Sequence, residues 1–273
     1  MIFRSCYDNW RTSMGKSVTP SIFLIAETNL VESGIRELKE ALGITDWDTD
    51  AASPAEWLTE FAGKSCYMSF DLRLNQNLTS VNTRANAEYV RSAIIGHHHG
   101  SVLEHSTVTL FLKDVSRVVT HELVRHRVGT AYSQTSGRYV RVGEVDYYVP
   151  RCIAENSEAL AVFVSAFETQ ETASRALADI FELDHMRDFV KKKEVTSAIR
   201  RIIGNGQAAN IVVTGNHRSW RHMIALRTAP GAEEEIRLVF VEIAGWLAER
   251  YPSIYADMSI DDDGVCTFVE EKV

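Results

Sequence analysis

The sequence predicts an α+β fold in which many helices accompany a few short strands. Most of the chain carries apolar residues three or four positions apart, which is the spacing of amphipathic helices, and this pattern dominates the second half. Short apolar runs at 21–26, 107–112 and 211–213 indicate strands instead. Because no repeat and no linker interrupts these patterns, residues 1–273 are expected to form one domain.

The composition is that of an ordinary globular protein with an acidic balance. The chain has 273 residues, of which 45% are hydrophobic and 24% charged, and its net charge is -8. General binders of nucleic acid or of anionic membranes are usually basic, so this charge argues against both. The sequence contains neither a signal peptide nor an apolar run of membrane-spanning length. Four scattered cysteines without a CxxC pair indicate free cytosolic thiols, which predicts a cytoplasmic location.

The first third of the chain is expected to begin with an N-terminal arm, because residues 1–19 show no periodicity. Apolar spacing over 30–42 predicts a helix. Serine, proline and glutamate occur at 53–56 in the order that starts a helix. The polar stretch 71–83 indicates a mobile loop, and helical spacing returns over 85–95.

The central segment 115–127 has the apolar spacing of an amphipathic helix, and Gly129 is a plausible stop just after it. On such a helix Glu122 lies one turn before Arg125 and His126, so the three side chains are expected to share a face.

Polar residues alternate beyond this segment, at Gln134, Ser136 and Arg138. In an extended chain they project to the same side. Arginine binds phosphate through two parallel hydrogen bonds, and amide and hydroxyl groups contact the polar edge of a ring. These residues therefore favour a flat, anionic ligand. The alternative is a solvated helix end followed by a hydroxyl-rich turn.

The second half is predicted to be almost entirely helical. A strand is expected at 147–150, and the helical pattern then runs from 156 to 193 without a break signal. Two further helices are predicted over 217–227 and 233–250, and a short strand at 266–269.

Histidines at 97, 98, 99 and 105 allow a metal-binding alternative. Consecutive residues cannot all face one ion, and no cysteine or carboxylate stands beside them at the spacing of a zinc site. A helix C-terminus also favours cationic side chains without any metal. No metal is therefore expected, and a non-catalytic metal-binding protein stays a distant alternative.

The central segment resembles the signature of the flavin-dependent thymidylate synthases. Arg125-His126-Arg127, followed by Gln-x-Ser-x-Arg-Tyr at 134–139, carries this resemblance. Separate blocks match in the same order, over about 61–150 and again over 198–249. The resemblance implies a mixed sheet flanked by helices, with a long helical second half.

Two of these blocks lie outside the central segment. The stretch 99–105 is similar to the family's His-x-Ser/Thr-x-x-Glu-His segment, which contacts the flavin. In the second region Arg200, the stretch 214–222 and Ala-Leu-Arg at 225–227 also look like the family.

The resemblance implies an activity, its cofactors and an assembly. Methylenetetrahydrofolate would give one carbon to C5 of dUMP, NADPH would reduce FAD, and the reduced flavin would deliver a hydride. No cysteine nucleophile is needed. Several subunits of a homotetramer would share each active site. As the expected catalytic residue, Arg227 would stabilise negative charge as N3 of the base ionises.

The resemblance also implies two sets of binding residues. The set for the pyrimidine nucleotide is Glu122, Arg125, Gln134, Ser136, Arg138, Arg200 and Arg227. The set for FAD is His99, Ser101, Glu104, Arg125, His126, Arg127, Asn216, Arg218 and His222.

One departure from the family bears on the substrate. Eight residues, 128–135, separate the Arg-His-Arg motif from Ser136, where the family has seven. A one-residue slip would turn the side chains of a strand to its other face, so the extra residue is expected near Gly129. A wider loop there would leave room for a ribose 2′-hydroxyl. Methylation of UMP therefore stays open as an alternative to methylation of dUMP.

Overall fold

The computed structural model describes residues 14–81, 84–139 and 144–270. Residues 1–13 of the expected N-terminal arm and residues 82–83 of the predicted loop lie outside these ranges. The elements that it describes are β1 (Ser21–Glu27), α1 (Glu32–Leu42), α2 (Pro54–Tyr67), α3 (Asn86–Arg91), β2 (Thr107–Ser116), α4 (Arg117–Leu123), β3 (Thr130–Gln134), α5 (Arg151–Ala154), α6 (Ser157–Ile180), α7 (Phe189–Ile199), β4 (Ala208–Asn216), α8 (His217–Arg227), α9 (Glu234–Arg250), β5 (Met258–Ile260) and β6 (Cys266–Phe268).

A four-stranded sheet has the strand order β1-β2-β4-β3, and β5 pairs with β6 in a separate antiparallel ribbon. The N–H of Arg117 donates to the carbonyl of Gln207 at one end of the β2–β4 pair. Near the other end the hydroxyls of Thr109 and Thr214 lie 2.9 Å apart, so β2 and β4 run antiparallel. The strands predicted at 21–26, 107–112, 211–213 and 266–269 are confirmed as parts of β1, β2, β4 and β6, whereas β3 and β5 were not predicted.

The chain divides into two compact units. Among the described residues, unit 1 comprises 14–23, 111–125 and 132–212, and unit 2 comprises 24–110, 126–131 and 213–270. The core of unit 1 includes Tyr147, whose ring stacks on Phe167 with centroids 4.4 Å apart. In unit 2, α8 and α9 contribute the fully buried side chains of Trp220 and Phe240.

Side-chain caps explain where the longer helices begin. The hydroxyl of Ser53 accepts the N–H of Glu56 at the start of α2, as the sequence predicts. Asn156 and Asp188 cap α6 and α7 in the same way. Gly43 ends α1 with a left-handed φ of 66°. Within the described ranges, no helix combines the length and the apolar character that crossing a membrane requires.

The helix predicted over 115–127 is wrong at both ends. Strand β2 continues to Ser116, whose hydroxyl accepts the N–H of Val119, so α4 begins only at Arg117. The helix then ends at Leu123. Because a buried valine at 115 satisfies the strand as well as a helical spacing, apolar periodicity could not separate the two elements.

The helical pattern over 156–193 is confirmed, and the structure divides it into two helices, α6 and α7. The chain leaves α6 after Ile180 and passes through Glu182 in a left-handed conformation, with φ 49°. Asp188 then caps a new helix, α7. Leu183 lies inside the turn and is buried, so it continues the helical apolar spacing and hides the break.

Two shorter predictions need correction as well. The strand predicted at 147–150 is reduced to isolated bridges at Tyr147. The helix predicted over 85–95 is α3 followed by a π-helical turn, Ser92–Gly96. Such turns are rare and occur often at functional sites.

The buried His217, the first residue of α8, is expected to make the stability of the folded protein decrease at acidic pH. Its ring is fully buried against Tyr251, and Nδ1 lies 3.1 Å from the hydroxyl of Tyr255. Burial lowers its pKa from 6.5 to about 3. The unfolded state therefore binds a proton that the folded state does not bind, so the free energy of unfolding is nearly constant well above pH 6.5 and falls progressively as the pH drops through 6.5. We expect a loss of about 1.4 kcal/mol by pH 5.5.

Chemical denaturation at pH 7.5, 6.5 and 5.5 measures this loss in the native chain and in His217→Gln. The variant should lose the decline, while His121→Gln, which changes an exposed histidine, should keep it. An equal decline in the native chain and in His217→Gln would contradict the assignment.

Candidate active site

The loop between α4 and β3 carries the arginine–histidine–arginine motif. Since α4 ends at Leu123, Glu122 lies in its last turn, and Arg125 and His126 lie beyond the helix. The predicted shared helix face is therefore wrong. Arg125 and Arg127 are exposed, and His126 is half-buried.

The polar residues that follow lie in unit 1 and do not continue one strand. Strand β3 ends at Gln134, whose side-chain amide donates to the hydroxyl of Thr120 at 3.0 Å. The hydroxyl of Ser136 then accepts the N–H of Arg138 at 3.3 Å, and its carbonyl accepts the N–H of Tyr139 at 3.1 Å. The prediction of one extended segment is wrong because the serine hydroxyl stabilises a turn.

Two arginines of unit 1 converge on Gly137, which is buried. A Cβ added to this glycine would lie 3.6 Å from Nη2 of Arg117 and 3.8 Å from Nη1 of Arg200. Nε of Arg117 donates to the side-chain oxygen of Gln207 at 3.3 Å, which fixes the guanidinium. Burial and the charge of Arg200 lower the pKa of Arg117. Two cations held this close create a site that favours an anion.

Arg117 is a functional candidate that the sequence analysis missed. It is the first residue of α4, where the helix dipole disfavours a cation. The unfavourable position of this cation indicates a function only when Ser116 is recognised as the helix cap. In a helix predicted over 115–127, Arg117 is an interior polar residue among valines, and nothing distinguishes it.

A cavity of about 560 Å³ in unit 1 adjoins this region. Its lining includes three cationic side chains, those of Arg138, Lys193 and Arg201, and the apolar ring of Phe189. Lys193 donates to the hydroxyl of Tyr139 at 2.5 Å, and this hydrogen bond lowers the pKa of the phenol. Glu194 also lines the cavity, which thus combines a net positive charge with an apolar wall.

In unit 2 the loop residues 126–131 are fastened to the start of α8. The hydroxyl of Ser219 donates to the carbonyl of Val128 at 2.7 Å, and the N–H of Asn216 donates to the carbonyl of Gly129 at 3.1 Å. Gly129 has φ +67°, and an added Cβ would lie 2.4 Å from side-chain atoms of both Asn216 and Ser219. Only glycine fits this position, because any side chain would push the helix cap aside.

Three of the predicted residues meet at the other end of α8. Nε of Arg227 donates to Nε2 of His126 at 2.9 Å, so His126 is neutral and carries its proton on Nδ1. The ring of His126 contacts that of His222 edge-on, with centroids 5.8 Å apart. On the first turn of α8, Arg218 donates to the carboxylate of Glu104 at 2.5 Å.

The histidine-rich segment also lies in unit 2. His99 stacks against Tyr67 and against His97, with centroids 6.0 and 5.6 Å apart. His98 points instead to the carboxylate of Glu270. Among the residues that the structure describes, no group of three or more histidine, cysteine, aspartate or glutamate side chains is arranged to hold a metal.

The two units divide the predicted sets unequally. Unit 1 contains most of the nucleotide set, namely Glu122, Arg125, Gln134, Ser136, Arg138 and Arg200. Unit 2 contains Arg227 and most of the flavin set, namely His99, Ser101, Glu104, His126, Arg127, Asn216, Arg218 and His222. Arg125 therefore belongs to the unit of the nucleotide candidates, and Arg227 to the unit of the flavin candidates.

Comparison with known proteins gives consistent matches. The family model described as thymidylate synthase complementing protein matches residues 49–253. A flavin-dependent thymidylate synthase of Corynebacterium efficiens is 35% identical over 218 residues, which cover 79% of this chain and 84% of that protein. The flavin-dependent thymidylate synthase of Mycolicibacterium gilvum is 37% identical over 218 residues, with the same coverage of both chains.

Two solved structures share the fold at low sequence identity. The UMP/dUMP methylase PolB from Streptomyces cacaoi, bound with 5-Br dUMP, superposes with a TM-score of 0.63 at 16% identity, over 89% of this chain and 96% of that one. Thymidylate Synthase X from Helicobacter pylori, with FAD and dUMP, gives a TM-score of 0.58 at 16% identity, over 87% and 98%.

The α+β fold is that of these two solved structures, and the arginine side chains of each unit suit anionic ligands. The chain belongs to the flavin-dependent thymidylate synthase family. This membership confirms the resemblance, the fold class, the methyltransferase class and FAD as the cofactor.

The side chains of unit 2 fit a flavin dinucleotide. Arg218, on the first turn of α8, carries a guanidinium group beside the helix N-terminus, and a pyrophosphate would fit this pair of donors. The side chain of Asn216 is partly engaged, because its oxygen accepts the N–H of Ser219 as the helix cap.

Proposed function

We propose that this enzyme methylates C5 of dUMP, with methylenetetrahydrofolate as the carbon donor and NADPH as the reductant of FAD. The observation that carries the proposal is the pair Arg117 and Arg200 at Gly137. Because Gly137 has no side chain, both guanidinium groups approach the same stretch of backbone, and together they offer several N–H donors to one phosphate. A nucleoside monophosphate supplies that phosphate.

The nucleotide is proposed to lie along the turn that follows β3. Arg117 and Arg200 hold the phosphate, and the polar side chains around the turn orient the sugar and the base. The residues proposed for this binding, besides Arg117, are Glu122, Arg125, Gln134, Ser136, Arg138 and Arg200. Arg227 stabilises the charge that develops when N3 of the base ionises.

FAD, when bound, supplies the hydride that completes the methyl group. Arg218 is proposed to hold its pyrophosphate, with Glu104 fixing the guanidinium. His126, neutral and hydrogen-bonded to Arg227, orients that arginine. The other residues proposed for the flavin are His99, Ser101, Arg125, Arg127, Asn216 and His222.

The organisation of the protein forms part of the same proposal. Residues 1–273 act as one domain of this family, the active enzyme is a homotetramer whose subunits share active sites, and it works in the cytoplasm. The large exposed side chains of Val162, Ile180 and Phe189 in unit 1 support an assembly, because they offer apolar surface to a second copy.

A methyl-transfer assay with dUMP and UMP in parallel tests the function. The purified protein, supplied with FAD, NADPH and methylenetetrahydrofolate, is expected to be yellow and to convert dUMP to dTMP. The loop at Gly129 is packed tightly against α8 and is not widened there. A site that merely tolerates an added hydroxyl discriminates by about 10², so a kcat/KM for UMP within that factor would support UMP as an alternative substrate.

The remaining outcomes separate the alternatives. A preference for dUMP far beyond about 10³ would exclude UMP as a substrate while leaving dUMP methylation intact. A yellow protein that methylates neither nucleotide would contradict the proposed function. A colourless protein that binds zinc would favour the metal-binding alternative.

A further inference from the structure

The C-terminal segment of unit 2 is anchored to a buried ion pair. Arg221 on α8 donates two hydrogen bonds to the carboxylate of Asp257, at 2.6 and 2.8 Å, and both side chains are almost fully buried. Nη2 of Arg221 also donates to the carbonyl of Glu270 at 3.3 Å, and the N–H of Glu270 donates to Asp257 at 3.3 Å. The backbone of Glu270 is thus held from both sides.

This anchoring aims the Glu270 side chain at His98. One carboxylate oxygen lies 2.5 Å from Nδ1 of the imidazole. Only 17% of the Glu270 side chain is exposed, against 66% of the His98 side chain. Since a carboxylate only accepts hydrogen bonds, the contact assigns the Nδ1 proton to His98. A carboxylate whose backbone is fixed loses little freedom on making this contact, unlike an ordinary surface pair.

The backbone of His98 is left-handed. Its φ is +56°, in a region that is uncommon for residues other than glycine, with asparagine, aspartate and histidine the enriched exceptions. The residue follows the π-helical turn Ser92–Gly96 and precedes the 3₁₀ turn Gly100–Glu104. A change at His98 would therefore redirect the segment that carries His99 and Ser101.

We propose that Glu270 is a positioning residue for the flavin. Acting through His98, it holds residues 97–99 in the conformation that presents His99 and Ser101 to FAD. The inference rests on the proposed function, which assigns those two residues to the flavin. Helix α8 connects Glu270 with the proposed flavin site. Its Arg221 holds the backbone of Glu270, and Arg218 and His222 on the same helix belong to the flavin set.

Removing the carboxylate should lower FAD affinity. If residues 97–99, without the contact from Glu270, spend about one tenth of their time in the conformation that binds FAD, the apparent Kd of FAD rises about tenfold. We expect Glu270→Ala to raise the Kd of FAD about fivefold to tenfold, measured by flavin fluorescence. Glu270→Gln keeps an accepting oxygen and should stay within about twofold of the native chain.

A double-mutant cycle tests the route through His98. Glycine accepts the left-handed backbone without a clamp, so Glu270→Ala should change the FAD Kd little in a His98→Gly background. The matched control is Val269→Ala, which trims the exposed side chain next to Glu270 and should leave the Kd unchanged. Thermal unfolding without FAD should differ by less than about 2 °C among these variants.

The outcomes distinguish the inference from the function on which it rests. A native chain that binds no FAD would overturn the proposed function. Native binding with an unchanged Kd in Glu270→Ala would overturn the inference alone. An equal loss from Glu270→Ala in the native and His98→Gly backgrounds would also overturn it, since the carboxylate would not then act through His98.

Discussion

Replacing Arg227 by alanine is expected to lower the rate of methyl transfer about 10²–10³-fold while the protein stays folded and yellow. Arg227 ends α8, is half-buried, and is held in place by the hydrogen bond from its Nε to His126. Ionisation of N3 places negative charge on the base, and a fixed cation stabilises this charge more in the transition state than in the bound substrate.

Single-turnover methylation of saturating dUMP measures this effect separately from binding. Flavin absorbance after gel filtration reports whether the cofactor is retained. The matched control is Leu226→Ala, which trims an exposed side chain in the same turn of α8 and should keep a near-native rate. Near-native turnover in Arg227→Ala would remove Arg227 from the catalytic role.

The sequence predicts the elements that local chemistry determines. The start of α2 at Ser53, the end of α1 at Gly43 and the helix α8 follow from capping residues and apolar spacing alone. Each of these signals lies within a few residues of the feature that it determines. The family resemblance likewise rests on short blocks of sequence, which a single chain displays directly.

The features that the sequence does not predict have two causes. Some depend on contacts between residues distant in sequence, and others are turns whose apolar spacing is the same as that of a helix. Leu183 continues the helical spacing while lying in a turn, because it is buried against Ala178 and Val195 in the core of unit 1. The contact of Glu270 with His98 joins residues 172 positions apart. No local pattern marks either feature, since the partner that determines it comes from another part of the chain.

The arginine pair of unit 1 shows how one such miss affects the site. Arg200 matches the family block, but its partner Arg117 stands at the start of a helix whose first residue was misplaced. Once β2 is seen to continue to Ser116, Arg117 becomes a cation at a helix N-terminus beside a second cation. Arg117 thus has two unfavourable interactions, one with the helix dipole and one with the charge of Arg200. A bound anion would relieve both, which is why this pair indicates an anion site.

Arg117→Ala is therefore expected to raise the Kd of dUMP about tenfold to 100-fold, the loss of a charge-assisted hydrogen bond worth about 1.5–3 kcal/mol. Deoxyuridine lacks the phosphate, so its Kd should not change in the same variant. Calorimetric titration of both ligands measures the difference. Arg117→Lys keeps the charge without the planar fork and should recover part of the affinity.

Arg187→Ala is the matched control for charge, since it removes an exposed cation from the turn between α6 and α7 and should leave both dissociation constants unchanged. The comparison of dUMP with deoxyuridine separates phosphate binding by Arg117 from support of the local fold. An equal loss for dUMP and deoxyuridine would mean that Arg117 supports the fold of the turn at Gly137 and does not bind phosphate. An unchanged Kd for dUMP would mean that the convergence of Arg117 and Arg200 has no part in recognising the nucleotide.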